Sequence, residues 1–166
     1  AKFVMVAAMN PCPCGYYQDP EKHCVCGAHE VFRYQKKVSG PLLDRIDIQI
    51  EVPRIKIEKL KMKNENLPQS AQIAKKIAAV RAVQLDRLKA YKLITNSEMS
   101  SVLVKQFCKI NSESQQLLKE AVNKYHLSGR SIHRILKVSR TIADLEGSDK
   151  IETIHLAEAL QYRPKT

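Results

Sequence analysis

The chain opens on an unbroken apolar run, Phe3-Val4-Met5-Val6-Ala7-Ala8, which ends at Asn10-Pro11. So short and continuous a run predicts a strand covered on both faces. A second run, Ile46-Asp47-Ile48-Gln49-Ile50-Glu51-Val52, alternates apolar and polar residues strictly and stops at Pro53, which predicts a second strand. Between them lie a cysteine-rich loop and residues 31–37, which predict one or two helical turns. Residues 54–70 are highly charged, contain Asn64, Asn66 and Pro68, and read as a linker. From Ala71 the period becomes helical. Ile73, Ile77, Val80, Leu88 and Tyr91 mark one stripe of a long helix whose other positions carry Lys75, Lys76, Arg81, Arg87 and Lys89. Asn96 or Ser97 can cap a second helix running to about Ile110. Ser112 with Gln115 predicts a capping box on a third, stopping near His126. Ser128 caps a fourth that Gly147 terminates, and residues 153–162 predict a short fifth. The expected fold class is an α/β remnant over residues 1–53, a linker over 54–70 and an all-α domain over 71–166, the last large enough for a core of its own. The opening strand lacks an initiator Met before it and needs sheet partners from elsewhere, so the chain reads as a fragment of a larger protein.

Composition narrows this picture. The 166 residues hold 28 Lys+Arg and 17 Asp+Glu, a net charge of +11, with 44% hydrophobic and 27% charged residues, which excludes wholesale disorder. No apolar run reaches the ~18 residues of a membrane span, and no secretory signal is visible. Five cysteines without such a signal favour a reducing compartment and predict a cytoplasmic location. The charge is uneven: residues 1–53 hold 6 basic and 6 acidic residues, whereas residues 54–92 alone hold 11 basic and 3 acidic. That excess could attract phosphate or another polyanion. With aromatics at 5% and no Trp, a base-stacking platform is not expected.

Three places could carry chemistry. On the fourth helix Ile135, Val138, Ile142 and Leu145 are expected to face the core, while Arg130, Arg134 and Lys137 stack on the other side at spacings of four and three. Arg130 sits in the first turn, where the helix dipole disfavours a cation unless an anion joins it, and a phosphate would resolve the conflict. A solvated basic face explains the same pattern. In Ser39-Gly40-Pro41-Leu42-Leu43-Asp44-Arg45, Arg45 is held between a Leu-Leu pair and a strand, and a positioned Arg can stabilise a transferring phosphoryl group. Asp44 and Asp47 could equally make it a structural ion pair. Cys12-Pro13-Cys14 and Cys24-Val25-Cys26 form two C-x-C elements, able to close a tetrahedral zinc site with Gly15 and Gly27 relaxing the chain and His23 and His29 as substitutes. The spacing is tighter than the usual C-x₂₋₄-C, and disulfides or reduced thiols are the alternatives. Tyr16 and Tyr17 should cover this loop. Cys108 reads as a core residue, and His126, His133 and His155 as surface or helix-end residues.

In this order, Ala7-Ala8-Met9-Asn10-Pro11, Ser39-Gly40-Pro41-Leu42-Leu43-Asp44-Arg45 and Leu127-Ser128-Gly129-Arg130-Ser131 resemble the distal half of an AAA+ ATPase of the magnesium-chelatase-like group, in its competence-protein (ComM) branch. Residues 135–147 and 157–163 extend the resemblance over almost the whole chain. It implies distal strands of a parallel-sheet core followed by a helical-bundle lid. It also implies Asn10 as sensor 1, Arg45 as an arginine finger reaching a neighbouring subunit's nucleotide, and Arg130 as sensor 2 of the lid, with Arg134 its nearest competitor for contact with nucleotide. ATP and Mg are the implied cofactors, a ring of identical subunits, expected to be a hexamer, the implied assembly, and DNA remodelling of the branch-migration type the implied work. Any zinc on Cys12, Cys14, Cys24 and Cys26 would staple a loop between sensor 1 and the finger, a structural role. None of the five glycines begins a G-x-x-x-x-G-K-[ST] loop, so the chain alone is expected neither to hydrolyse ATP nor to bind it tightly. The alternatives are a magnesium-chelatase subunit and a non-enzymatic basic DNA-binding or adaptor domain.

Overall fold

In the computed structural model, which describes residues 3–52 and 70–163, the chain forms two units, residues 3–45 and residues 46–52 with 70–163. The expected linker lies outside the described residues except for Ser70, which opens a helix.

In the first unit, helix α1 (Ala28–Gln35) begins at Gly27, whose N–H donates to the Glu30 carboxylate at 3.0 Å. Helix α2 (Gly40–Leu43) is a single turn with Pro41 inside its start, where a missing N–H costs nothing. Ser39 Oγ caps it by accepting from the Leu42 N–H. The two expected strands need correction. Among the described residues neither 3–8 nor 46–52 pairs into a sheet, and Phe3, Val4 and Val6 are 79%, 86% and 92% exposed. An extended segment is stable only when another strand satisfies its N–H and C=O groups and covers its apolar faces. The α/β remnant accordingly appears as a loop and two short helices.

The second unit is helical throughout: α3 (Ser70–Leu88), single 3₁₀ turns at Lys89–Tyr91 and Asn96–Glu98, α4 (Ser101–Phe107), α5 (Ser112–Tyr125), α6 (Gly129–Glu146) and α7 (Thr153–Gln161). Its caps explain its boundaries. Ser128 Oγ accepts from the Ser131 N–H at 3.2 Å to start α6, and Gly147 ends it with φ +75°, a backbone that glycine adopts without strain. Elsewhere the expected caps shift. Asn96 and Ser97 lie in a 3₁₀ turn, and α4 is capped by Ser100. Asn111 caps α5, and Gln115 donates to the Ile110 carbonyl.

Helix α6 is the centre on which α3, α4, α7 and the Asn96–Glu98 turn pack. One apolar cluster joins Leu88, Met99, Val104, Cys108 and Ala143, and another joins Ile135, Ile142, Leu156 and Ala159. Cys108 is buried as expected, and that burial pushes its thiol up to about 11. Leu145 is exposed, however, as are Ile73 and Ile77 on the first half of α3, whose contact with the core begins at Val80. His155 lies at a helix end, as expected, in the first turn of α7, but not at the surface. It is buried; its Nδ1 accepts from the Glu152 N–H at 2.9 Å, capping α7, so the Nε2–H donates to Glu146 at 2.9 Å.

Where α3 and α6 cross, the core is polar. The Asp144 carboxylate, only 1% exposed, receives Arg87 at 2.6 and 2.9 Å, Asn96 at 2.8 Å, Arg140 at 3.0 Å and Gln84 at 3.3 Å. Arg140 continues to the Ser148 and Asp149 carbonyls, which closes the turn beyond α6. Burial acts to raise the Asp144 pKa, but the Arg87 and Asn96 hydrogen bonds and the two guanidinium charges outweigh it and hold the carboxyl below its ordinary value.

Candidate functional site

The cysteine loop closes on itself. Cys12, Cys14, Cys24 and Cys26 place their sulfurs all within 4.8 Å of one another, with Cys12–Cys14 at 3.3 Å, Cys14–Cys24 at 3.5 Å and Cys12–Cys24 at 3.7 Å. All four are free thiols. The C-x-C spacing works because the chain turns immediately after the first pair. Gly15 takes φ +83° and donates to the Cys12 carbonyl at 3.0 Å, while the Tyr17 N–H donates to Cys12 Sγ at 3.3 Å. Gly27 has no such duty; its φ of −65° is ordinary and it opens α1. Cys12 is fully buried, His23 and His29 are exposed, and Tyr16 packs under Lys22, whose ammonium lies 4.1 Å from the ring centre.

The electrostatics of the four sulfurs are uneven. Backbone N–H groups, Tyr16's first, draw Cys14 down to about 6. For Cys26 a backbone hydrogen bond at Cys14 pulls the other way, but burial and the neighbouring sulfurs prevail and push the thiol up to about 12. Such a cluster can hold four thiolates only with a cation at its centre. A tetrahedral ion with bonds of ~2.3 Å sets sulfurs about 3.8 Å apart, so the four sulfurs could hold a metal ion. Asn10, exposed, has its side chain beside this loop, within 3.9 Å of where a Cβ on Gly15 would lie.

Arg45 follows α2 and is exposed; its Nη1 donates to the Pro41 carbonyl at 2.7 Å. The Asp47 carboxylate pairs with Arg134 at 2.6 Å. The three-cation face expected on α6 therefore divides. Arg134 is held by Asp47, Lys137 donates to the Ser97 carbonyl at 2.9 Å, and Arg130 stands exposed in the first turn of α6. Burial draws the Lys137 pKa below its ordinary value. Asn10 and Arg45 belong to the first unit, and Arg130 and Arg134 to the second. Sequence reasoning missed Asp47 and Arg163 as partners of α6, since 87 residues separate Asp47 from Arg134 and no local pattern links them.

Two consecutive family matches cover nearly the whole sequence: magnesium chelatase, subunit ChlI, over residues 1–60, and magnesium chelatase, subunit ChlI C-terminal, over residues 68–163. The chain belongs to the magnesium chelatase ChlI family. Among curated relatives of this family member, competence protein ComM of Haemophilus influenzae is 44% identical over 163 residues, which is 98% of this chain and 31% of that protein. The uncharacterized protein YifB of Escherichia coli is 39% identical over 166 residues, with 98% of this chain and 31% of that protein covered. Its Salmonella typhimurium counterpart is 36% identical over 163 residues, at the same two shares. The chain thus spans about a third of the length of the relatives it matches. The family is AAA+ ATPase-like, which associates its intact members with ATP, Mg and self-assembly. Among the described residues no helix is long and apolar enough to cross a membrane.

Proposed function

We propose that this chain is the sensor-1-to-lid part of a ring-forming AAA+ ATPase that couples ATP hydrolysis to DNA remodelling. The reading rests on one observation above the others. Of the three cations stacked on α6, Arg134 and Lys137 have internal partners, whereas Arg130 is exposed in the first turn, at the positive end of the helix dipole. In this reading Asn10 orients water as sensor 1, Arg45 supplies charge to a neighbouring subunit's site, and Arg130 supplies it to its own. Phosphoryl transfer needs mainly such positioned charge, with the phosphate-binding loop and Mg²⁺ ligands contributed by other parts of the protein. The assembly is a homo-oligomeric ring, taken as a hexamer, in the cytoplasm. DNA is favoured as substrate over a porphyrin because ComM, the competence protein, is 44% identical across 98% of this chain, and because residues 54–92 carry 11 basic against 3 acidic residues, suited to DNA phosphates.

Arg130→Ala in the full-length protein is expected to weaken ATP binding roughly ten- to hundredfold, the worth of a charge-assisted hydrogen bond. Fluorescent-nucleotide titration measures this. An unchanged Kd for ATP, with weaker and salt-dependent DNA binding instead, would favour the adaptor reading.

The thiol cluster is assigned to a structural zinc ion held by Cys12, Cys14, Cys24 and Cys26. Purified reduced protein should carry about one equivalent of zinc, and Cys12→Ser should lose it. Elemental analysis showing none, with four titratable thiols in the native protein, removes the assignment.

A further inference from the structure

The motor reading makes the helix that carries Arg130 the place where nucleotide is engaged, and within the second unit an extended segment is held against that helix. Ile46, Asp47 and Gln49 are each fastened to α6 or to residues just past the end of α7. Asp47 Oδ1 accepts from Arg134 Nη1 at 2.6 Å. The Gln49 N–H donates to the Tyr162 carbonyl at 2.9 Å, at the end of α7. Arg163 makes the third fastening: Nη1 donates to the Ile46 carbonyl at 3.3 Å and Nη2 to the Ser131 carbonyl at 3.5 Å. One guanidinium therefore bridges the carbonyl of the residue that follows Arg45 and the carbonyl of the residue that follows Arg130.

We propose that Asp47, with Arg134 and Arg163, is a positioning residue that holds the sensor-2 helix in register with the extended segment 46–49, so that ATP turnover in the full-length protein depends on the pair. This rests on the motor reading. The geometry suits a transmitting contact better than a stabilising one. The Asp47 and Arg134 side chains are 55% and 25% exposed, and an ion pair so open to water adds little to stability. Its value lies in direction, since a guanidinium on a helix and a carboxylate on an extended segment hold the two elements in one register. It also gives Arg134 a carboxylate partner, which leaves Arg130 as the phosphate-facing cation of α6.

The test compares Asp47→Asn, Arg45→Ala and the charge-swapped double variant Asp47→Arg/Arg134→Asp in the full-length protein. Asp47→Asn should lower kcat for ATP roughly three- to thirtyfold, the span of couplings between contacting residues, with KM within about twofold and melting temperature little changed. The swap should recover most of that loss, as it restores the pair with reversed charges. If Arg45→Ala abolishes turnover while Asp47→Asn turns over like the parent, the fastening is refuted and the motor reading stands. A loss in Asp47→Asn that the swap leaves unrecovered also refutes it, because Arg134 then acts on nucleotide directly. Undiminished turnover in Arg45→Ala overturns the motor reading itself and the fastening with it.

Discussion

Asp144→Ala is expected to cost the helical unit about 3–5 kcal/mol, the loss typical when one partner of a buried ion pair is removed. The variant leaves Arg140, which is 3% exposed, and Arg87, which is 18% exposed, without the carboxylate that both address. It also frees the Asn96 and Gln84 amides that the same oxygens accept from. Against a whole-domain stability of about 5–15 kcal/mol, that leaves the fold marginal or lost. Urea denaturation followed by circular dichroism measures it, and a change below about 1 kcal/mol would show that the network relaxes around the gap. A pH dependence accompanies it. The folded Asp144 carboxyl lies below its ordinary value, so the unfolded chain binds the proton more readily. The stabilisation is therefore complete above the unfolded pKa near ~3.9 and is lost as pH falls through the folded value. The parent should lose stability on acidification in that window, and Asp144→Asn should lose the part due to this group.

What could be read from the sequence was local. Ser128 and Gly147 bound α6 because a cap acts on its own helix within three or four residues, and both hold in the structure. The two C-x-C elements likewise announce four sulfurs, although their closure to within 4.8 Å depends on a turn at Gly15 that spacing alone leaves open. What escaped was non-local. Arg87 and Asp144 lie 57 residues apart, so no local pattern links the buried carboxylate to its partner. Leu145 was assigned to the core by the same period, but α3 and α7 cover α6 unevenly and leave it exposed. His155 is buried, and its capping of the Glu152 N–H from the third position of α7 uses an imidazole where glutamate or glutamine is the usual signal. The strands failed because apolar alternation states only what a segment needs. Pairing requires neighbours, and residues 3–8 find none among the described residues.

The largest effect is expected from Arg45→Ala in the full-length protein: ATP turnover should fall about a thousandfold or more, the usual contribution of an arginine that neutralises the transferring phosphoryl group. The residue lies just past a stiffened turn. It is exposed, follows the single turn of α2, and its Nη1 rests on the Pro41 carbonyl of that turn, which steadies the guanidinium while leaving the side chain open to solvent. Pro41 and the Ser39 cap stiffen α2, so the Arg45 backbone starts from a fixed point. In the motor reading, removing the side chain deletes charge at a neighbouring subunit's site. ATP affinity should stay within about twofold of the parent, because an interaction made in the transition state alone lowers kcat and leaves ground-state binding unchanged. Mixing gives a sharper version. In a ring where the finger acts across the interface, Arg45→Ala subunits that retain their own nucleotide site should still hydrolyse when flanked by a parent subunit, so activity in mixed assemblies should fall gradually with the mutant fraction. Full turnover by the pure variant, or a matching loss of ATP binding, would remove Arg45 from the role.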